Sequence, residues 1–128
     1  MSTDDLVQFL HDRLNKDELT AGDALHPDAV KPGTWTTEHH NSPTHSEPNR
    51  CHIAEDKSGH YWSVADEVYI PIAEHIARWD PARVLRLITA LRRALDEYSH
   101  EGRETAIIMA IGEALYGDHP DYREEWRP

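Results

Sequence analysis

Potential metal ligands are concentrated in the middle of this 128-residue chain, where imidazole and thiol side chains recur. They are His39, His40, His45, Cys51, His52 and His60. Imidazole nitrogen and thiolate sulfur are ligands that zinc selects. The spacing matches no familiar zinc motif, because structural sites usually draw close pairs of ligands from two halves of a sequence and this chain has one cysteine. The favoured interpretation is a solvated histidine-rich loop with Cys51 buried in a strand, and a zinc-binding module or metal-dependent enzyme is the alternative.

Carboxylate and histidine pairs offer a second kind of chemistry. Glu97 and His100 are three residues apart and share one helical face, but di-metal bundles need this motif twice with further glutamates. An adjacent pair such as Asp118-His119 needs partners from elsewhere before it can transfer protons. The chain has no serine nucleophile elbow and no glycine-rich phosphate loop. We therefore predict no catalytic residues.

A basic helix is the third feature, because residues 78–103 hold 6 Lys/Arg against 4 Asp/Glu in a chain of net charge −11. A short helix followed by an arginine-rich one resembles a DNA-reading unit. The negative charge of the whole chain opposes approach to phosphates, so DNA binding ranks third and nucleic acid is not the expected partner. The residues predicted to contact a partner protein are Arg83, Arg86, Arg93, Glu124 and Glu125.

Composition limits the class of protein further. The acidic surface favours a protein partner that carries a basic patch. The single cysteine cannot form an internal disulfide, and the acidic N-terminus lacks the features of a signal peptide. No segment approaches the roughly 20 apolar residues that cross a membrane. We expect a cytoplasmic protein with a single domain over residues 1–128.

The N-terminal half predicts one helix and an irregular connection. A helix over residues 4–21 follows from Leu6, Leu10 and Leu14 at four-residue spacing, with Gly22 as its C-cap. Residues 26–49 are rich in histidine and proline and predict a connection with one short strand, 34–37, around Trp35. Residues 41–49 are expected to be the most mobile.

The C-terminal half predicts a hairpin followed by helices. Residues 50–55 and 60–64 form β-like runs around a tight turn. Asp80 and Pro81 suit the N-cap and first position of a helix over 81–98, which follows a shorter helix. A further helix over 104–116 ends at Gly117, and the tail with Tyr122 and Trp126 folds back and docks.

These elements predict an α+β fold, with an N-terminal helix, a small antiparallel β-hairpin element, a helical hairpin, a buried C-terminal helix and a docked tail. Its core is predicted from the apolar positions that share faces of these elements. They are Leu10, Leu14, Trp35, Trp62, Ile76, Trp79, Leu87, Leu91, Leu95, Ile108 and Leu115.

Three segments, DDLVQFLHDRL, HIARWDPARVL and DHPDYREEWRP, resemble an uncharacterised family of small proteins from actinomycetes and their bacteriophages. Trp35, after a glycine-containing turn, matches a tryptophan usual in that family. Many members carry several cysteines and a histidine between the long helix and the tail, with spacing suggestive of a metal site. This chain reads TAIIMAIGEAL there, so we carry no such site over. The family has no established activity, and the resemblance implies fold and origin alone.

With no catalytic signature, we expect a non-enzymatic accessory protein of a phage or mobile element that acts by protein contact through acidic surfaces.

Overall fold

The computed structural model describes residues 3–25, 29, 31–38, 49–57, 60–98 and 102–128, with the backbone alone for residues 56, 57, 60–62, 102 and 103. The described residues form four α-helices and three strands. In chain order these are α1 (Thr3–Asp23), β1 (Trp35–Glu38), β2 (Arg50–Lys57), β3 (His60–Tyr69), α2 (Ile70–Arg78), α3 (Pro81–Asp96) and α4 (Gly102–Tyr116), followed by a 3-10 turn, Glu124–Trp126. The predicted α+β fold is confirmed.

The chain comprises two compact units. The bundle unit consists of Met1–Asp17 and Ile88–Pro128, and the sheet unit consists of Glu18–Leu87. The boundaries fall inside α1 and inside α3, so each of these helices contributes residues to both units. The prediction of a single domain stays a prediction.

The sheet is antiparallel with the order β1-β2-β3. β2 and β3 form the predicted hairpin. Both strands are longer than the sequence pattern indicated, since β2 continues to Lys57 and β3 to Tyr69. Two register shifts interrupt their pairing, and Glu67 lies near them with a φ of 54°. The N–H of Ile70 donates to the carbonyl of Asn49 at 2.9 Å, where β3 passes into α2. Bulges of this kind bend a strand and let hairpin strands of unequal length pair.

The core of the sheet unit lies between the sheet and α2. Cys51 and Ile53 are two residues apart on β2, so their side chains point to the same face of the sheet. Ala73 of α2 packs against them. All three are nearly inaccessible to solvent. The small Ala73 side chain lets the helix approach closely. Half-buried neighbours complete the cluster, namely Trp35, Ala65, Val68, Ile70, Ile76 and Ala77.

The core of the bundle unit confirms the leucine pattern of α1 and the docking of the tail. Leu6, Leu10 and Leu14 are at most 3% exposed. Tyr122 and Trp126 of the tail are also buried, and their rings lie 5.7 and 5.1 Å from the ring of Phe9. The tail therefore completes this core.

The core predictions are confirmed in part. Leu10, Leu14, Leu95 and Ile108 are buried, whereas Trp35, Ile76 and Leu91 are half-buried. The side chain of Trp62 and most of the predicted mobile segment 41–49 lie outside the described residues.

Three core predictions are wrong, because Trp79, Leu87 and Leu115 are 46%, 39% and 41% exposed. Trp79 ends α2, and the guanidinium of Arg83 lies 6.0 Å from its ring. On α3, Ile88 is buried in place of the predicted Leu87. The two side chains point about 100° apart, because each residue advances a helix by that angle. Leu115 lies at the rim of a small apolar cavity of the bundle unit.

The predicted C-cap of α1 is also wrong. The helix continues through Gly22 to Asp23, and Ala24 and Leu25 donate their N–H groups to carbonyls of its last turns. No described helix is both long and apolar enough to cross a bilayer.

Candidate functional site

The predicted metal ligands do not meet within the described residues. Cys51 and His52 are neighbours on β2, so their side chains point to opposite faces of the sheet and cannot bind one ion together. The backbone of His60 begins β3, while its side chain and the residues His39, His40 and His45 lie outside the description. No described group of three or more His, Cys, Asp or Glu side chains is placed to hold a metal. A zinc site in this segment stays a prediction.

Cys51 is a core residue with an inert environment. It is 2% exposed. Burial raises the pKa of its thiol, and the nearby carboxylate of Glu74 raises it further. Both effects disfavour the thiolate, which is the nucleophilic and metal-binding form of cysteine.

The predicted contact residues fall on both units. Arg83 and Arg86 belong to the sheet unit, and Arg93, Glu124 and Glu125 belong to the bundle unit. The two arginines at positions 86 and 93 are exposed on α3. The structure gives these five residues local partners or open surface, and their joint role in binding stays a prediction.

Two of these residues pair with arginines within the tail. Glu124 accepts a hydrogen bond at 2.9 Å from Arg127, which also binds Glu113 and the carbonyl of Gly117 at 2.9 Å each. The hydrogen bonds to Glu113 and Glu124 raise the pKa of the Arg127 guanidinium. Glu125 lies 3.7 Å from Arg123. The charged side chains of the tail therefore form contacts within the bundle unit.

An acidic groove lies between α3 and α4 in the bundle unit, with a volume of about 230 Å³. Its described lining comes from the end of α3 and the residues that follow it, Ala94, Glu97 and Tyr98, and from α4, with Glu104, Ile107 and Ile108. The three residues of α4 are spaced i, i+3 and i+4, so they share one helical face. The hydroxyls of Tyr98 and Thr105 lie 2.9 Å apart and connect the segment after α3 to α4.

The groove combines apolar surface with negative charge. Ile107 is 50% exposed, whereas Ile108 below it is 5% exposed. Glu97 and Glu104 are exposed and are the carboxylates among the described lining residues. Sequence analysis missed this site. The sequence shows the same spacing twice, at positions 94, 97 and 98 and at positions 104, 107 and 108. It does not show that these two sets of residues lie next to each other in the fold.

A second site surrounds Trp35 in the sheet unit, where two buried carboxylates hold the start of β1. Glu55, which is 3% exposed, accepts hydrogen bonds from the N–H of Gly33 at 2.7 Å and from the indole N–H of Trp35 at 3.3 Å. Asp80 accepts the backbone N–H of Trp35 at 3.1 Å and the N–H of Arg83 at 2.9 Å. The second bond confirms Asp80 as the N-cap of α3.

We call these contacts the Trp35 frame. The carbonyl of Gly33 accepts the N–H of Ala82 at 3.0 Å and adds a further tie between the approach to β1 and α3. Both carboxylates receive hydrogen bonds from backbone or indole donors, so the frame positions strands and helices. The signal that sequence analysis missed is Glu55, a carboxylate placed within a buried strand.

Beside the Trp35 frame lies an open depression of about 400 Å³, the β1 groove. It is lined by residues 35–37 of β1, by Glu74, Ala77 and Arg78 of α2, and by Arg83 of α3. Two arginines and one glutamate give this lining a net positive charge, in contrast to the acidic groove. The two grooves are suited to binding, and their lining side chains differ in the charge that they attract.

Comparison with known proteins identifies the family. No curated protein and no solved structure gives a significant match to this chain. The sequence model of a family of unknown function (DUF6221) matches residues 3–128, which include all the described helices and strands. The chain therefore belongs to this family of unknown function, as the resemblance of its three segments predicted.

Proposed function

We propose that this protein is a non-enzymatic accessory protein that binds a basic, partly apolar segment of a protein partner in the acidic groove. The observation that carries the proposal is the half-exposed Ile107 beside two exposed glutamates. A helical or extended segment that alternates Lys or Arg with a bulky apolar residue complements both properties.

The apolar contribution comes from covering Ile107. Half of this side chain is accessible. Complete burial of an aliphatic side chain of this size contributes about 1.5–3 kcal/mol, so covering the exposed half contributes about 1 kcal/mol. One such contact gives weak binding by itself and requires a second source of affinity.

The charges supply that second source. Glu97 and Glu104 attract cations locally, and the net charge of −11 attracts a basic partner from further away. Raising the ionic strength from about 0.1 M to about 1 M shortens the Debye length from about 10 Å to about 3 Å. Binding at this groove is therefore expected to weaken steeply with salt.

The proposal includes origin and compartment. The resemblance to small actinomycete and phage proteins supports a phage or mobile-element origin, where small accessory proteins act on host machinery by contact; that support is by analogy. The single, buried cysteine is compatible with the reducing cytoplasm.

The test compares two charge-reversal variants that change the net charge equally. Glu97→Lys with Glu104→Lys alters the acidic groove, and Asp118→Lys with Asp121→Lys alters two exposed carboxylates outside it. The probe is a fluorescently labelled synthetic peptide that alternates lysine with leucine, titrated at several salt concentrations. We expect the groove variant to lose binding by more than about tenfold, and the control variant by less than about threefold.

Ile107→Ser removes the apolar contact without changing the charge, and should weaken binding in the same titration at high salt as well as at low salt. The same variants, used as baits in a host lysate, identify the natural partner. Equal binding by the groove variant and the control variant would show that only the overall charge matters, and would remove the acidic groove from the proposal.

A further inference from the structure

We infer that the outer edge of β1 is a docking site for an extended acidic peptide, which binds as an added strand in the β1 groove. This site belongs to the sheet unit and selects the opposite charge from the acidic groove. It is therefore independent of the function proposed above.

The backbone groups of β1 alternate in direction, and some of them point away from the sheet. β1 pairs with β2 on one side and is an edge strand of the described sheet. The backbone N–H of Trp35 donates to Asp80, so it points away from β2. In an antiparallel pair the direction alternates from residue to residue, so the N–H and the carbonyl of Thr37 also point away from β2. Thr37 therefore presents a donor and an acceptor to an incoming strand.

This edge is held in place by hydrogen bonds within the sheet unit. Trp35 is fixed by Asp80 at its backbone and by Glu55 at its indole. Gly33, directly before it, donates to Glu55 and accepts from Ala82. A strand edge that is already ordered costs a partner little entropy on binding, which favours addition of a strand.

The charges beside this edge favour an acidic peptide. Among its described lining residues, the β1 groove carries Arg78 and Arg83 and one glutamate, Glu74. Guanidinium groups bind carboxylates through paired, charge-assisted hydrogen bonds. An extended peptide places every second side chain on the same face, so acidic residues at alternate positions face the arginines while the peptide backbone pairs with Thr37.

Proline at position 37 is the central test. Proline lacks the N–H group and is tolerated on an edge strand where that group faces outward. Thr37→Pro should therefore keep the β1–β2 pairing and remove one hydrogen bond to the peptide. Thr37→Val keeps the N–H and the β-branched shape, and is the matched control.

The probe is a fluorescein-labelled peptide of eight residues that alternates glutamate with threonine or valine, followed by fluorescence anisotropy. Its counterpart with lysine in place of glutamate belongs to the acidic groove, and it should leave the Thr37 amide unprotected. We expect Thr37→Pro to weaken binding by about tenfold and Thr37→Val by less than about twofold. Arg78→Glu with Arg83→Glu should abolish binding, whereas Arg93→Glu, outside the groove, should have little effect.

Hydrogen exchange on the wild-type protein provides a measurement that does not depend on folding of the proline variant. The amide of Thr37 should become protected when the acidic peptide is added. The inference is overturned if the wild-type protein does not bind the peptide or if the Thr37 amide gains no protection. Equal weakening by Arg93→Glu and by the double groove variant would also overturn it.

Discussion

Alanine at two glycines should change stability in opposite directions. Gly33 has a φ of +76°, and a Cβ atom built there lies 2.5 Å from Cδ2 of Leu25 and 2.9 Å from the backbone nitrogen of Ala82. Gly22 lies in the last turn of α1, and a Cβ atom built there meets no atom within 4 Å. The pair separates the effect of position from the effect of the amino-acid type.

The magnitude follows from these geometries. A left-handed conformation costs a residue with a Cβ atom roughly 1–2 kcal/mol. The side chain of Leu25 can move, but Ala82 is held by its N–H donated to the carbonyl of Gly33, so the clash adds a cost of about 1–2 kcal/mol. Gly33→Ala should therefore lower the free energy of unfolding by about 2–4 kcal/mol. Gly22→Ala should raise it by about 0.5–1 kcal/mol, because alanine loses less backbone entropy in a helix.

Urea denaturation followed by circular dichroism measures both changes, with the slope m showing whether unfolding stays cooperative. Thermal unfolding gives an independent value, since about 1 kcal/mol shifts Tm by roughly 4 °C in a chain of this size. The reasoning is refuted if Gly33→Ala is as stable as the wild type, or if both variants change stability in the same direction.

Three further outcomes follow from burial, hydrogen bonding and ionisation. Leu6→Ala, at a position that is 0% exposed, should lower the free energy of unfolding in urea by about 3–5 kcal/mol. Leu19→Ala, at a position that is 69% exposed, should change it by no more than about 0.5 kcal/mol. Similar losses for the two variants would contradict the assigned core. Glu55→Gln should cost about 1–3 kcal/mol, because Gly33 and Trp35 donate to different oxygens of Glu55 and glutamine replaces one of these oxygens with an NH₂ group that cannot accept. Part of that cost should disappear in a Trp35→Phe background; strictly additive costs would contradict a role for the indole hydrogen bond. Burial and a hydrogen bond to Asp17 raise the pKa of Tyr116 above 10.0, so the folded state retains a proton that the unfolded state releases. Stability should fall as the pH rises above 10.0, and less steeply for Tyr116→Phe; parallel pH curves would argue against this coupling.

The helices with regular apolar spacing were predictable from local sequence. Leu6, Leu10 and Leu14 are buried at the four-residue spacing that defines the inner face of α1. Asp80 caps α3 as its position before Pro81 predicted. Local rules succeed here because capping and helical periodicity depend on residues close together in the chain.

The core predictions fail where a helix carries more than one apolar side chain that could be buried. Trp79 and Leu87 have large apolar side chains, yet both are exposed, whereas the smaller Ala73 and Ile88 are buried. A helix can turn either of two adjacent apolar residues inward, and the choice depends on the element packed against it. That element is distant in sequence, so periodicity alone could not decide between Leu87 and Ile88.

The candidate sites divide in the same way. The acidic groove needs α3 and α4 side by side, and the β1 groove needs an edge strand beside α2 and α3. Their lining residues were present in the sequence as ordinary exposed positions. Glu97 and Glu104 share one groove, and Arg78 and Arg83 share the other, only because folding brings these elements together.

The sequence by itself determined the α+β class, the order of the elements, the acidic charge and membership of the family, because these depend on composition, short-range periodicity and characteristic segments. Tertiary structure alone decided that Glu55 is buried and accepts the indole N–H of Trp35, that the backbone N–H of Trp35 donates to Asp80, and which apolar side chains remain exposed. Each of these depends on contacts between residues far apart in the chain, where the direction of a side chain or a backbone group is set by packing.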